Sequence, residues 1–258
     1  MSEGAAMRAS THRAITAAVA RALGVGGRAL EAMLKGSVDP DIYPEEEVKA
    51  RVGRGGRVYF VRRRVRHHTA HNKPRIMRLI WRSRKMLLKG RLSEAAYLLG
   101  YALHYVQDAY IPSWNHAGLE STLKTIPIPI PEIRGAIMEA LCSPSYVEGE
   151  LKRIRPMSGE AALIEAARTS ASIAAAVLGP TDPPQRLLEE ERAERGPHLL
   201  RMLLAAASAA LTITSLLSPS PLTLILIASS ITFYIMDGKY RKIKKELKWF
   251  RKPKKRLI

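Results

Sequence analysis

The chain is 258 residues long and carries 42 lysines and arginines against 23 acidic residues, a net charge of +19. So basic a chain calls for an acidic partner, whether anionic lipid, nucleic acid or protein, and its single cysteine, Cys142, excludes an intramolecular disulfide and a cysteine zinc site. The length suits one sizeable domain with an appendage, and the dominance of alanine and leucine beside only three phenylalanines predicts an all-α fold.

Thr11 to Leu23 has helical periodicity, with Ser10 or Thr11 as its cap, and a second short helix ends near Gly36. Residues 36–47 read as a loop rich in Asp, Pro and Glu, a natural source of oxygen ligands. Arg51 to Arg66 is basic around Val58-Tyr-Phe-Val61 and reads as extended or irregular. Lys73 to Lys89 is a helix with Pro74 in its first turn, ended by Gly90. Ser93 caps the next helix, which Pro112 stops. Thr125 to Pro131 alternates isoleucine with proline and so forms an extended strip. Helices follow over 132–142, 144–154 and 158–178, then a proline-rich linker over 179–184.

Gln185 to Arg195 is a charged helix that leads into nineteen residues, Leu199 to Leu217, with one charge, Arg201. Ser218-Pro-Ser-Pro221 breaks the chain, and Leu222 to Met236 is fifteen uncharged residues. At 1.5 Å per residue the first run is about 28 Å long, near the thickness of a bilayer core. The second needs the turn, Tyr234 and a snorkelling Lys239 to complete a crossing. The pair reads as a transmembrane helical hairpin with His198 at the interface. Basic residues flank both spans, so the positive-inside rule places the chain in the cell membrane with its N-terminal domain and C-terminal tail cytoplasmic. The expected domains are 1–180 (helical), 181–197 (linker and juxtamembrane helix), 198–237 (transmembrane hairpin) and 238–258 (basic tail).

The chemistry concentrates elsewhere. In Leu99-Gly-Tyr-Ala-Leu-His104-Tyr-Val-Gln-Asp108 a histidine and an aspartate four residues apart share one helical face. That spacing suits a surface ion pair, but the flanks are apolar, and a buried His/Asp pair needs partners that a zinc ion supplies. Five of the seven histidines (His67, His68, His71, His104 and His116) lie between residues 67 and 116.

Gly100-Tyr-Ala-Leu-His104-Tyr-Val-Gln-Asp108 followed by Pro112 resembles the core motif of the zinc-dependent phospholipase C family, whose all-helical fold is shared with fungal single-strand nucleases. Three further places fit in the same order: Thr11-His12-Arg-Ala-Ile15, the Val38-Asp39-Pro40-Asp41 loop, and His67-His68. The resemblance spans roughly residues 8–121. It implies a cluster of up to three zinc ions, with Asp108 bridging two of them. The chain also departs from the pattern. Trp114 stands where the family has a histidine after the proline, with His116 nearest. His116-Ala-Gly-Leu-Glu120 has the spacing of a later His/Glu pair but comes early in the chain.

The expected ligands are therefore His12, Asp39, Asp41, His68, His104, Asp108, His116 and Glu120, holding one to three Zn2+. His68, His104 and Asp108, with Asp39 or Asp41, would hold a first ion, and the second oxygen of Asp108 would face another near His12. Either Asp39 or Asp41 serves as general base. His67 and His71 remain outer donors or surface residues, although His71 replaces His68 as ligand if that segment is helical. The expected function is a membrane-anchored zinc phosphodiesterase acting on a phospholipid headgroup. Its partners are an anionic phospholipid membrane and a phosphodiester substrate. The alternatives are a non-catalytic membrane protein with a structural metal site, or a nuclease whose basic 48–93 block tracks nucleic acid.

Overall fold

The computed structural model describes residues 3–43, 46–64, 72–111, 126–157, 159–215 and 221–251. It divides into two compact units at Gly179/Pro180. The first contains α1 (Glu3–Ala22), α2 (Gly27–Gly36), α3 (Asp39–Ile42), β1 (Glu46–Val52) and β2 (Val58–Arg64). It continues with α4 (Lys73–Leu88), α5 (Leu92–Asp108), α6 (Ile130–Glu139), α7 (Pro144–Arg153) and α8 (Gly159–Leu178). Apart from the two-stranded antiparallel ribbon, the described structure is helical, as the composition predicts.

The core of the first unit forms around α5. Every residue from Leu99 to Asp108 is buried, as expected of a helix apolar on all sides. It packs against α2, α4, α8 and the inner face of α1. The contact with α2 is backbone on backbone. A Cβ on Gly36 would lie 2.1 Å from Tyr97 O, and one on Gly100 would lie 2.0 Å from Met33 O. Only glycine fits at either position. Arg84 is fully buried, and its guanidinium caps the end of α8 by donating to Val177 O and Gly179 O, both at 2.8 Å.

Several boundaries differ from the sequence reading. Helix α1 begins at Glu3 rather than at a Ser10 or Thr11 cap, because Ala5, Ala6, Met7, Arg8 and Ala9 are all strong helix formers. Asp39-Pro-Asp41 is not a loop but one helical turn, with Pro40 in the first turn, where its missing N–H costs nothing. Ser93 does not cap α5. The N-cap is Arg91, set by the glycine stop of α4: Gly90 sits at φ +77°, Gly90 N donates to Leu87 O and Arg91 N to Met86 O. The helix ends at Asp108, ahead of Pro112, and α6 begins at Ile130, shortening the extended strip.

The second unit contains α9 (Gln185–Ser215), α10 (Pro221–Met236) and α11 (Gly238–Lys248). Helix α9 continues past Pro197, so the charged and apolar segments are one helix. Leu199, Leu200, Leu203, Leu211 and Ile213 of α9 and Leu224, Ile225 and Ile231 of α10 are all exposed. Among the described residues, two helices are long and apolar enough to cross a membrane: α8, whose apolar window is 67% buried, and the 185–214 stretch of α9, whose window is 0% buried. The first is therefore a core helix, and the second carries its apolar surface outward. A polar clasp closes the base of this unit. His198 Nδ1 donates to Asp237 Oδ1 at 2.7 Å, its ring stacks on Tyr240 at 3.9 Å, and Arg201 lies 3.7 Å from the same carboxylate oxygen. Lys239 pairs with Glu194 and Lys244 with Glu191.

Candidate metal centre

The face of α1 that packs inward carries His12, Ile15, Thr16 and Val19, all buried. The last turn of α5 carries His104 and Asp108, with exposures of 0% and 1%. The packing of these two helices brings the three polar side chains together in the core. His12 Nε2 lies 3.2 Å from Asp108 Oδ1, and His104 Nε2 lies 3.2 Å from Asp108 Oδ2. The imidazole centroids are 4.2 Å apart. Ligand atoms of the three residues all fall within 4.8 Å of one another.

The far side of each ring is committed. His12 Nδ1 donates to Gln107 Oε1 at 2.7 Å, and His104 Nδ1 donates to Ser37 O at 3.0 Å. Gln107 is itself oriented, donating through Nε2 to Ser170 Oγ at 3.3 Å and Thr16 Oγ1 at 3.4 Å. Both Nε2 atoms therefore face the Asp108 carboxylate. Outer hydrogen bonds of this kind fix the tautomer and aim of zinc-binding histidines. Two aimed imidazoles and a buried carboxylate match zinc's preference for N and O donors, so the residues present fit the ion.

The electrostatics agree. Burial opposes protonation of His12, but Asp108 outweighs it and carries the imidazole up to about 9. Burial and the neighbouring His12 hold His104 below its ordinary value despite Asp108. Burial would raise the Asp108 pKa, but the two histidines hold it well below the usual carboxylate range. The metal-free cluster thus has one anion and one added proton, and a divalent ion can take the proton's place.

The two aspartates of α3 are placed differently. Asp41 Oδ1 lies 3.6 Å from His104 Nε2, with 18% of its side chain exposed. Asp39 Oδ2 accepts from Tyr97 OH at 2.9 Å and from Lys35 Nζ, and Asp39 does not join the group of three. His67, His68, His71, Trp114, His116 and Glu120 lie outside the described residues. The sequence reading did not assign Gln107 or Ser37. Gln107 had a signal, since an amide in an apolar helix demands partners. The Ser37 carbonyl has none in sequence, because every residue offers one.

Residues 11–135 match the family model described as zinc dependent phospholipase C. No curated protein and no solved structure matches the chain. The matched segment begins one residue before His12 and contains α5 with both its ligands. Together with the buried cluster, the match supports zinc as the cofactor and a phospholipase-like hydrolase as the broad class.

Proposed function

Through residues 11–135 the chain belongs to the zinc-dependent phospholipase C family, and from that premise we propose that it is a membrane-held phosphodiesterase that cleaves a phospholipid headgroup ester. The single observation that carries this reading is the split carboxylate of Asp108, with Oδ1 toward His12 and Oδ2 toward His104, each at 3.2 Å. One carboxylate so placed can bridge two cations.

When bound, zinc lowers the pKa of a water and neutralises the charge that develops on a phosphoryl group. The protein's own part is positioning. Gln107 and Ser37 O hold the histidines with Nε2 forward. Asp41 is the proposed proton acceptor, a role supported by its 3.6 Å approach to His104 Nε2 and its partial exposure. Asp39, engaged with Tyr97 and Lys35, anchors the turn that carries Asp41. His68, His116 and Glu120 complete the proposed ligand set for one to three ions.

Membrane attachment is proposed from the second unit. Helix α9 from Leu199 onward and helix α10 expose leucine and isoleucine, which favours lipid contact over water. The orientation proposed is that of the basic flanks, with both ends on the cytoplasmic side.

Elemental analysis of the full chain, run beside hydrolysis assays on lipid and nucleic-acid phosphodiesters, tests the reading. Wild type should hold zinc and release the headgroup, while Asp108→Asn should lose both properties. Unchanged zinc in Asp108→Asn would overturn the ligand assignment. One tightly held ion without turnover would leave a structural site, and preference for nucleic acid with steep loss of binding in salt would make it a nuclease.

A further inference from the structure

The β1–β2 ribbon has an apolar face that nothing described covers. Pairing sets Val52 opposite Val58, Ala50 opposite Phe60 and Val48 opposite Arg62. Directly paired residues share a face, so Val48, Ala50, Val52, Val58 and Phe60 form one contiguous apolar surface. Phe60 and Val52 are each 73% exposed, Val48 61% and Val58 59%. The turn between the strands is built by Gly55 and Gly56 at φ +91° and +77°, and it holds Arg54 and Arg57 out at the tip. Arg62 continues this face beyond Phe60, while Arg51, paired with Tyr59, lies on the opposite one, and no Asp or Glu occurs from residue 48 to 64. An isolated two-stranded ribbon is marginal in water, so this ribbon gains from a partner that takes up the face.

We propose that the ribbon is a membrane-docking element that lays its Val/Phe face into the interfacial region of an anionic phospholipid bilayer while its tip arginines pair with lipid phosphates. The two halves of the surface select this occupant together. An apolar wedge beside cations matches the acyl boundary and headgroup layers of one lipid leaflet. Nucleic acid would satisfy the arginines and stack a base on Phe60 but leave Val48, Val52 and Val58 in water. A second copy of the chain would cover the apolar face but bring arginine against arginine. The proposal stands apart from the hydrolase reading and from the anchoring of residues 198–237, because it concerns residues 46–64 alone.

A label on the ribbon itself tests it in the full chain. Phe60→Cys in a Cys142→Ser background, carrying an environment-sensitive fluorophore, is taken through detergent removal with vesicles. One set is phosphatidylcholine alone and the other contains about three-tenths phosphatidylglycerol. With anionic vesicles, emission should rise, shift to the blue and be quenched by brominated acyl chains. Pure phosphatidylcholine should give a much smaller response. Arg54→Gln/Arg57→Gln should weaken the anionic response roughly 30-fold at low salt, the effect of two lost phosphate attractions. Four outcomes overturn the proposal: a label that stays in water on anionic vesicles, an equal response to uncharged lipid, shielding by an oligonucleotide without lipid, or concentration-dependent shielding without lipid.

Discussion

Replacing Gly100 by alanine tests whether the backbone contact between α2 and α5 builds the metal centre. In most helices glycine to alanine gains about 0.5–1 kcal/mol. Here the new Cβ would lie 2.0 Å from Met33 O and 3.0 Å from Ser37 N, where real Cβ contacts stay above 3.0 Å. The helices must therefore separate by about 1 Å, and neighbouring backbone cannot rotate away as a side chain can. Overpacking of this kind costs about 1–3 kcal/mol. The same movement draws Ser37 O away from His104 Nδ1, now at 3.0 Å, and losing that orienting bond should weaken zinc roughly 10–100-fold. Urea unfolding of the metal-free protein measures the first effect and competitive zinc titration the second. The two should move together. A Gly100→Ala protein as stable as wild type or more so, with unchanged zinc affinity, would refute the reasoning.

Gln107→Leu keeps the volume near His12 but removes the acceptor for its Nδ1; zinc affinity should fall roughly 10–100-fold while the helical circular dichroism is retained. In metal-free Asp108→Asn the His12 pKa, followed by NMR titration, should drop from about 9 to below 6.5, since burial persists and the opposing carboxylate is gone. Metal-free wild type should show the linked stability profile. Because His12 binds its proton more tightly folded than unfolded, its contribution is fully present below pH 6.5 and is lost as pH rises to about 9, at most about 3 kcal/mol. His104, shifted the other way, removes stability as pH falls below 6.5. Urea midpoints across pH 5–10 should therefore peak near neutrality, and saturating zinc should flatten the alkaline side; a metal-free profile that rises steadily to pH 9 would contradict the His12–Asp108 pairing.

The helical periodicity and punctuation of the chain place most of the elements. Pro74 opens α4 and Gly90 closes it, and the apolar flanks of His104 mark α5 as buried. Capping was less legible. Ser93 has the right chemistry for a cap, but the glycine stop of α4 sets the start of α5 earlier, at Arg91. The ribbon was visible only as a basic stretch, extended or irregular, and its pairing was not, because strand pairing joins residues as far apart as Glu46 and Arg64. In the centre, His104 and Asp108 were legible because helix geometry alone places them side by side. The Asp39/Asp41 choice was not, since both flank Pro40 and only the neighbours they meet separate them.

Read alone, the order of amino acids settles the short-range facts: a basic all-helical chain, a histidine and an aspartate on one helical face, and two apolar runs near its end. Those follow from spacing and composition, which act within a few residues. Tertiary structure decided what those residues meet: His12 across 96 positions at Asp108, the Ser37 carbonyl behind His104, and His198 on Asp237. Such contacts depend on how closely two helices approach, and at Gly36 and Gly100 that distance is set by the absence of a side chain on both helices at once.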